Sequence, residues 1–300
     1  MSKIDVEFHK LCENILKNGK EYHNKKRDVK RLQIPSYTFR HEFKNGFPAL
    51  STKKIYWKGV VGELIWFLRG DNDVRFLNEN GIKFWNKDAY NLYKKKGGEL
   101  NFEEFEKIGV GSVGQNYSRQ WRAYNGKTDQ IQNLVENMKS DIMSSQLIVN
   151  AWNPSEIHET ALPPCHTGFQ IVGIPLKNNK FGFELHWSQR SVDTFLGLPI
   201  NIASYSLLAK TLEKLTGYKA LGVEGSLKCV HLYENQIDAT KEMLSRDPKQ
   251  NKKCLVKLQK IYKLKKLNKT ICDLKIEWVE LKNYNSFEEI KVQMLAPKTI

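Results

Sequence analysis

The densest run of reactive side-chain types lies between Pro163 and Tyr233. Cys165 and His166 adjoin each other directly after Pro163 and Pro164, whose fixed φ angles stiffen the approach. A thiol on a stiff loop is a candidate nucleophile, because a thiolate attacks electron-poor carbon readily. The alternative is a small buried apolar cysteine. Residues 189–193, QRSVD, follow an apolar run and offer an amide, a guanidinium, a hydroxyl and a carboxylate. Arg190 and Ser191 could hold a phosphate, or the arginine could make an ordinary surface ion pair. Asn201 falls where a helix is expected to begin, so it reads as an N-cap. Its amide, which both donates and accepts, could also read the edge of a pyrimidine. Glu63 sits in the apolar run GELIWFL. If buried there, its carboxyl would have a raised pKa suited to general acid–base work. If it lies on the polar side of an amphipathic helix, it would not.

These residues need elements to hold them. The apolar positions Val60, Val61, Leu64, Ile65, Phe67 and Leu68 recur at helical spacing and predict a long buried helix over 57–77, interrupted near Gly70. Residues 1–30 read as a polar helix followed by a basic stretch, 36–42 as a strand, and FKNGFP as a turn. The charged, Gly-rich segment 94–116 reads as a surface excursion, and 128–141 as an amphipathic helix. LIVNAW reads as a short strand. FQIVGIP and FGFELHW read as two more, joined by a hairpin at LKNNK. Asn201–Thr216, with apolar periodicity and no Gly or Pro, predicts a core helix. The lysine-rich stretch 252–269 predicts a strand or helix with a solvated basic face. With no internal repeat and no Pro/Ser linker, residues 1–300 read as one domain of mixed α and β structure.

The chain has 300 residues with 40% hydrophobic, 27% charged and 11% aromatic side chains, which supports a sizeable core and argues against a disordered or fibrous chain. No run reaches the roughly 18 apolar residues of a membrane-spanning helix. The N-terminal residues have no apolar stretch of signal-peptide length, so a cytoplasmic protein is expected. Five scattered cysteines with no CxxC spacing point to neither a disulfide framework nor a zinc site, and no metal is expected. The net charge of +15 favours anionic partners, whether nucleotides, polyanionic cofactors or nucleic acid. The other reading is a lysine-rich surface that serves solubility alone.

The motifs ELIWFLRGD, YSRQWR, AWNP, LPPCH, QRSVDTFLGLPINIASY and HLYEN occur in this order. Together with the tail NYNSFEEIKVQMLA they resemble the thymidylate synthase family over about residues 45–245 and the C-terminal segment. The resemblance implies an α/β (α+β) fold with a mixed, roughly six-stranded sheet flanked by helices, and a homodimer formed by stacking sheets face to face. It implies transfer of a one-carbon unit from 5,10-methylenetetrahydrofolate to carbon 5 of deoxyuridylate (dUMP). A thiolate adds to carbon 6 and makes an enolate whose carbon 5 can attack. By resemblance Cys165 is that nucleophile, Glu63 the general acid–base group and Tyr117 the tyrosine linked to removal of the carbon 5 proton. His166 adjoins the nucleophile, and Arg190 also favours the thiolate by its charge. Asn201 reads the uracil edge, where related deoxycytidylate hydroxymethylases carry an aspartate. Gln189, Arg190 and Ser191 bind substrate, the last two at its phosphate, and Arg27 is the nearest match to an arginine of the N-terminal loop. His231 and Tyr233 bind the deoxyribose hydroxyl. Asp193 contacts both nucleotide and pterin. Lys53, Trp85, Leu196, Gly197, Ile200, Tyr233 and Ala296 belong to the folate side, with Lys53 meeting the folate's glutamate tail. No membrane partner is implied, and nucleic acid is not expected.

The chain departs from the family pattern at four places. Ser145 and Gln146 stand where an arginine pair usually reaches the partner subunit's nucleotide phosphate. Arg27 lacks the usual flanking glycines. Lys228-Cys229 replaces the usual Gly-Asp before the His-x-Tyr pair. Pro297–Ile300 extends past the matched tail. A displaced terminal carboxylate would leave a wetter site, so a dUMP hydroxymethylase of the phage type, adding water instead of hydride, is the main alternative. The Lys-, Asn- and Ile-rich composition is compatible with an AT-rich phage acting in a host cytoplasm and with many bacteria. A second alternative is a relative that binds nucleotide or nucleic acid without catalysis.

Overall fold

The computed structural model describes residues 3–25, 28–248, 253–258, 274–293 and 295. Arg27, Ala296, the tail 297–300 and most of the basic stretch 252–269 lie outside them.

Helix α1 (Lys3–Asn18) buries Ile4, Phe8, Leu11, Cys12 and Ile15, the one-sided spacing of a surface helix. It leads into the hairpin β1 (Lys20–Asn24) and β2 (Val29–Glu42). The FKNGFP turn is present as a short 3₁₀ segment closed by Gly46 at φ 104°. Helix α2 (Trp57–Arg69) is buried along nearly its whole length and stops at left-handed Gly70. Helix α3 (Arg75–Glu79) follows, so the expected interruption near Gly70 is real. Helix α4 (Asn86–Lys95) comes next. The segment read as a surface excursion instead contains helix α5 (Phe102–Ile108). A reciprocal capping box between Asn101 and Glu104 starts α5, and Phe105 anchors it in the core. Helices α6 (Tyr117–Ala123) and α7 (Gln130–Ser140) complete this half.

The strands β3 (Ile148–Asn150), β4 (His166–Pro175), β5 (Phe181–Gln189) and the two-residue β6 (Val192–Asp193) carry the site loops. Asn178 and Asn179 take positive φ in the β4–β5 hairpin, as a tight turn between twisted strands requires. Helix α8 (Gly197–Thr216) starts four residues earlier than expected. Gly-Leu-Pro is its first turn and not a separate loop, because a helix tolerates proline before its N–H groups are needed. Asn201 therefore lies one turn inside α8 and is not its N-cap. Strand β7 (Lys219–Tyr233) and helix α9 (Ile237–Leu244) follow, and β8 (Leu255–Leu258) pairs with β9 (Val279–Lys282) in a separate ribbon.

The main sheet runs β1-β2-β7-β5-β4-β3, with β6 extending along β7. It is mixed: β5 and β6 run parallel to β7, and the other pairs are antiparallel. The expected six-stranded mixed sheet with flanking helices is thus present, with the short β6 as a seventh strand. Helix α8 covers one face, where Trp187 stacks on Tyr205 at 5.1 Å. On the other face His186, Ser188 and Ser226 line an open depression of about 730 Å³. No helix of the described residues is long and apolar enough to cross a membrane.

Candidate active site

Cys165 ends the loop that enters β4. Tyr117 and Arg190 hold that loop. The Tyr117 hydroxyl, carried by α6, accepts the Cys165 backbone N–H at 2.6 Å. Arg190, just past β5, donates from Nε to the Pro164 carbonyl at 2.8 Å and from its guanidinium terminus to the Pro163 carbonyl at 2.7 Å. Its backbone N–H meets the Cys165 carbonyl at 2.8 Å. The arginine also lies over the Trp152 ring at 5.3 Å. The expected phosphate ligand is therefore also a clamp on the nucleophile loop. Its fork geometry can do both, because two of its five N–H donors are used on the loop.

Glu63 lies in the middle of α2 and is buried, which decides between its two sequence readings. Burial pushes its carboxyl up to about 7, opposed by a 2.7 Å hydrogen bond from Trp85 Nε1. Such a group gives and takes protons near neutral pH. Tyr117 packs between this pair and the thiol loop, 6.3 Å from the Trp85 ring and 5.2 Å from His166. Burial, with Cys165 adding to it, raises its phenol well above the ordinary range. His166 is buried and pushed down to about 4 by desolvation, opposed by a hydrogen bond with Asn201. Its Nδ1 shares a 3.1 Å hydrogen bond with the Tyr205 hydroxyl. His166 is therefore neutral at physiological pH.

Asn201 is oriented from the sheet side. Gln189 Nε2 donates to Asn201 Oδ1 at 3.1 Å and to the Ser191 carbonyl at 3.1 Å. One side chain thus ties the amide to the phosphate-type motif. Asp193 accepts the Leu196 N–H at 3.0 Å just before α8 and receives both Gln236 contacts at 3.0 and 3.1 Å. It pairs in register with His231, whose Nδ1 sits 2.7 Å from the Cys229 carbonyl. His231 and Tyr233 pack edge to face at 4.8 Å. Contacts therefore join Cys165, Glu63, Tyr117, His166, Gln189, Arg190, Ser191 and Asn201 in one group and Asp193, His231 and Tyr233 in a second.

The folate-side expectations divide. Lys53, Leu196 and Ile200 line a cavity of about 440 Å³ together with Glu289 and Val292 of the C-terminal segment. The Lys53 ammonium is buried, bonds the Phe195 carbonyl and sits 3.9 Å from the Phe195 ring centre. Burial lowers it to about 8, opposed chiefly by Asp193. Trp85, Asp193, Gly197 and Tyr233 are not among that cavity's lining residues, and Trp85 is committed to Glu63. An apolar wall with a lysine suits a ring system bearing an anionic tail. No cluster of metal-ligating side chains occurs among the described residues.

Tyr205 and Trp152 appeared in the sequence only as members of motifs, and Gln236 carried no signal as a positioning residue. Tyr205 had one usable signal: it stands four residues after Asn201, on the same face of a helix.

The family model for thymidylate synthase matches residues 6–296. The thymidylate synthase of Malacoplasma penetrans (strain HF-2) is 39% identical over 296 residues, 95% of this chain and 98% of its own. That of Mycoplasma mobile is 36% identical over 302 residues, covering 96% and 99% of the two chains. That of Mycoplasma pneumoniae is 34% identical over 292 residues, covering 94% and 96%.

Proposed function

The chain belongs to the thymidylate synthase family of one-carbon transferases, and from that premise we propose how its residues methylate dUMP to dTMP. The observation that carries the reading is the clamped loop. Tyr117 and Arg190 fix the backbone on both sides of the Cys165 thiol, and Gln189 aims Asn201 into the same site. Cys165 adds to carbon 6 of the pyrimidine. Asn201 donates to and accepts from the uracil edge, which its amide can do and a carboxylate cannot. Arg190 and Ser191 take the phosphate, with Arg27 as a further candidate. His231 and Tyr233 take the deoxyribose hydroxyl.

Glu63 moves protons near the uracil carbonyl, because its carboxyl titrates near 7. Tyr117 stands beside the thiol loop to assist loss of the carbon 5 proton. His166, held neutral, packs the nucleophile's flank without competing for its proton. 5,10-Methylenetetrahydrofolate supplies both the one-carbon unit and the hydride. Lys53, Leu196 and Ile200 would hold it along the 440 Å³ cavity. Trp85, Asp193, Gly197, Tyr233 and Ala296 stay folate-side candidates on the family resemblance alone. The whole chain acts as one catalytic domain in the cytoplasm. It pairs with a second copy through the sheet face that α8 leaves open.

The relatives' shared name weighs against the hydroxymethylase and non-catalytic alternatives. The experiment incubates the protein with dUMP and 5,10-methylenetetrahydrofolate and analyses nucleotide and folate products together by mass spectrometry. Thymidylate with dihydrofolate is expected. Hydroxymethyl-dUMP with tetrahydrofolate would overturn methyl transfer, and absence of any product would overturn the assignment to this substrate.

A further inference from the structure

Lys228 stands directly beside the proposed phosphate site and has no assigned role. Strand register places it there. Gln189 pairs with Leu227 and Val192 with Val230 in the parallel ladders, so Arg190 falls opposite Lys228. Parallel neighbours are about 5 Å apart across a sheet. The side chain turns towards the open sheet face. Its ammonium donates to Ser226 Oγ at 2.8 Å, and Ser226 lines the 730 Å³ depression together with Ser188 and Arg190. In the single chain the lysine is exposed, and in the pairing proposed above it faces the seam between the two copies; its hydrogen-bond partner is a neutral hydroxyl, which leaves two of its three donors for an anion.

The charge balance calls for such a group. A phosphate monoester carries between one and two negative charges at neutral pH. Arg190 brings one positive charge and spends two donors on the Pro163 and Pro164 carbonyls. Positions 145 and 146, at the edge of the same sheet, are an exposed serine and glutamine and bring no charge.

We propose that Lys228, in lateral register with Arg190 and anchored on Ser226, is a second cationic ligand for the nucleotide phosphate. The inference rests on the reading of Arg190 and Ser191 as the phosphate site. Ser226, on the rim between Lys228 and the depression, acts as its positioning residue, restraining the flexible ammonium before substrate arrives.

The test compares binding of dUMP and of deoxyuridine, which lacks the phosphate, to the full chain and to Lys228→Met and Lys228→Arg. Thermal melting and sedimentation confirm that each variant is folded and keeps the parent's oligomeric state. Lys228→Met should weaken dUMP binding about fivefold to tenfold, as for one charge-assisted contact at a partly solvated site. It should leave deoxyuridine binding unchanged and flatten the salt dependence of dUMP binding. Lys228→Arg should retain most of the affinity, and inorganic phosphate should compete less well for the Met variant. If Lys228→Met binds dUMP as the parent does while the parent still prefers dUMP to deoxyuridine, the role of Lys228 is overturned and the phosphate site stands. If the parent binds dUMP and deoxyuridine equally, the phosphate reading of Arg190 and Ser191 falls with it.

Discussion

The two ends of the proposed substrate site are built on opposite electrostatic plans. Around Glu63, Tyr117 and His166, side chains are buried and desolvation sets every shift: the carboxyl and the phenol go up, and the imidazole goes down. All three favour their uncharged forms. Around Arg190 and Lys228, on the sheet face that α8 leaves open, the guanidinium and the ammonium spend hydrogen bonds on neutral oxygens. The dry end is suited to moving protons, since a neutral acid near pH 7 can give one up and recover it. The wet end is suited to holding an anion that never leaves its charge behind. Cys165 sits at the junction, with its loop tied to both ends by Tyr117 and Arg190.

The largest test of this division is removal of the group at the junction. Cys165→Ala should lower dTMP formation by at least about 10⁴-fold, as loss of a covalent nucleophile does. Binding of dUMP should stay within a few-fold, because the proposed phosphate and uracil contacts lie on other residues. A parallel collapse of binding, measured by calorimetry, would mean that the loop and not the thiol was lost.

Next in size is the dry end itself. Glu63→Gln should cut turnover about 10²–10³-fold and remove the limb of the pH–rate profile near 7. Stability should move the other way. The folded carboxyl titrates near 7 against 4.5 for an ordinary one, so the folded state binds more protons between those values and loses stability as pH rises through them. The Gln variant lacks that loss and should be the more stable protein at pH 8, by up to about 3 kcal/mol. The gain should vanish at pH 4.5 and below. Denaturant titrations at the two pH values check the sign.

At the wet end, Arg190→Lys keeps the charge and loses the fork. Lysine cannot reach two proline carbonyls and a phosphate together, so kcat/KM for dUMP should fall about 10- to 100-fold. The fall should appear in both kcat, through the loosened Cys165 loop, and KM, through the phosphate. A change in KM alone would show that the clamp on Pro163 and Pro164 is dispensable.

Sequence legibility follows the same line between local and distant causes. Helices α2 and α7 and the β4–β5 hairpin were readable because their apolar periods and turn residues are local. Strand β7, the longest in the sheet, was not, because Gly222 and Gly225 break its pattern. A Cβ on Gly225 would lie 2.3 Å from the Trp187 ring, so the glycine is there for a neighbour and not for its own strand. The start of α8 was misplaced because Gly-Leu-Pro is locally a turn signal. Reactive types such as Cys165 and Glu63 stand out in the chain, and the family motifs supplied their roles. Tyr205 and Gln236 did not stand out, since each acts on a residue about 40 positions away, on His166 and Asp193.

The smallest effect concerns His166, which the dry end holds neutral without asking it to react. Its folded pKa is about 4 against 6.5 for a free imidazole. Between those values the unfolded chain binds the extra proton, so folding stability drops as pH falls from about 6.5 towards 4 and changes no further below that. From pH 6.5 to pH 5 the drop attributable to this one residue is about 1–2 kcal/mol. His166→Gln keeps a polar side chain opposite Tyr205 and Asn201 and cannot take a proton. It should therefore lose most of that acid sensitivity while keeping turnover within about tenfold. No such change is expected from Lys228→Met, which leaves the His166 imidazole in place. Urea melts of the two variants at pH 6.5 and pH 5 measure the contrast. An undiminished acid slope in His166→Gln would mean that the imidazole is hydrated, and that the dry end does not extend past the thiol.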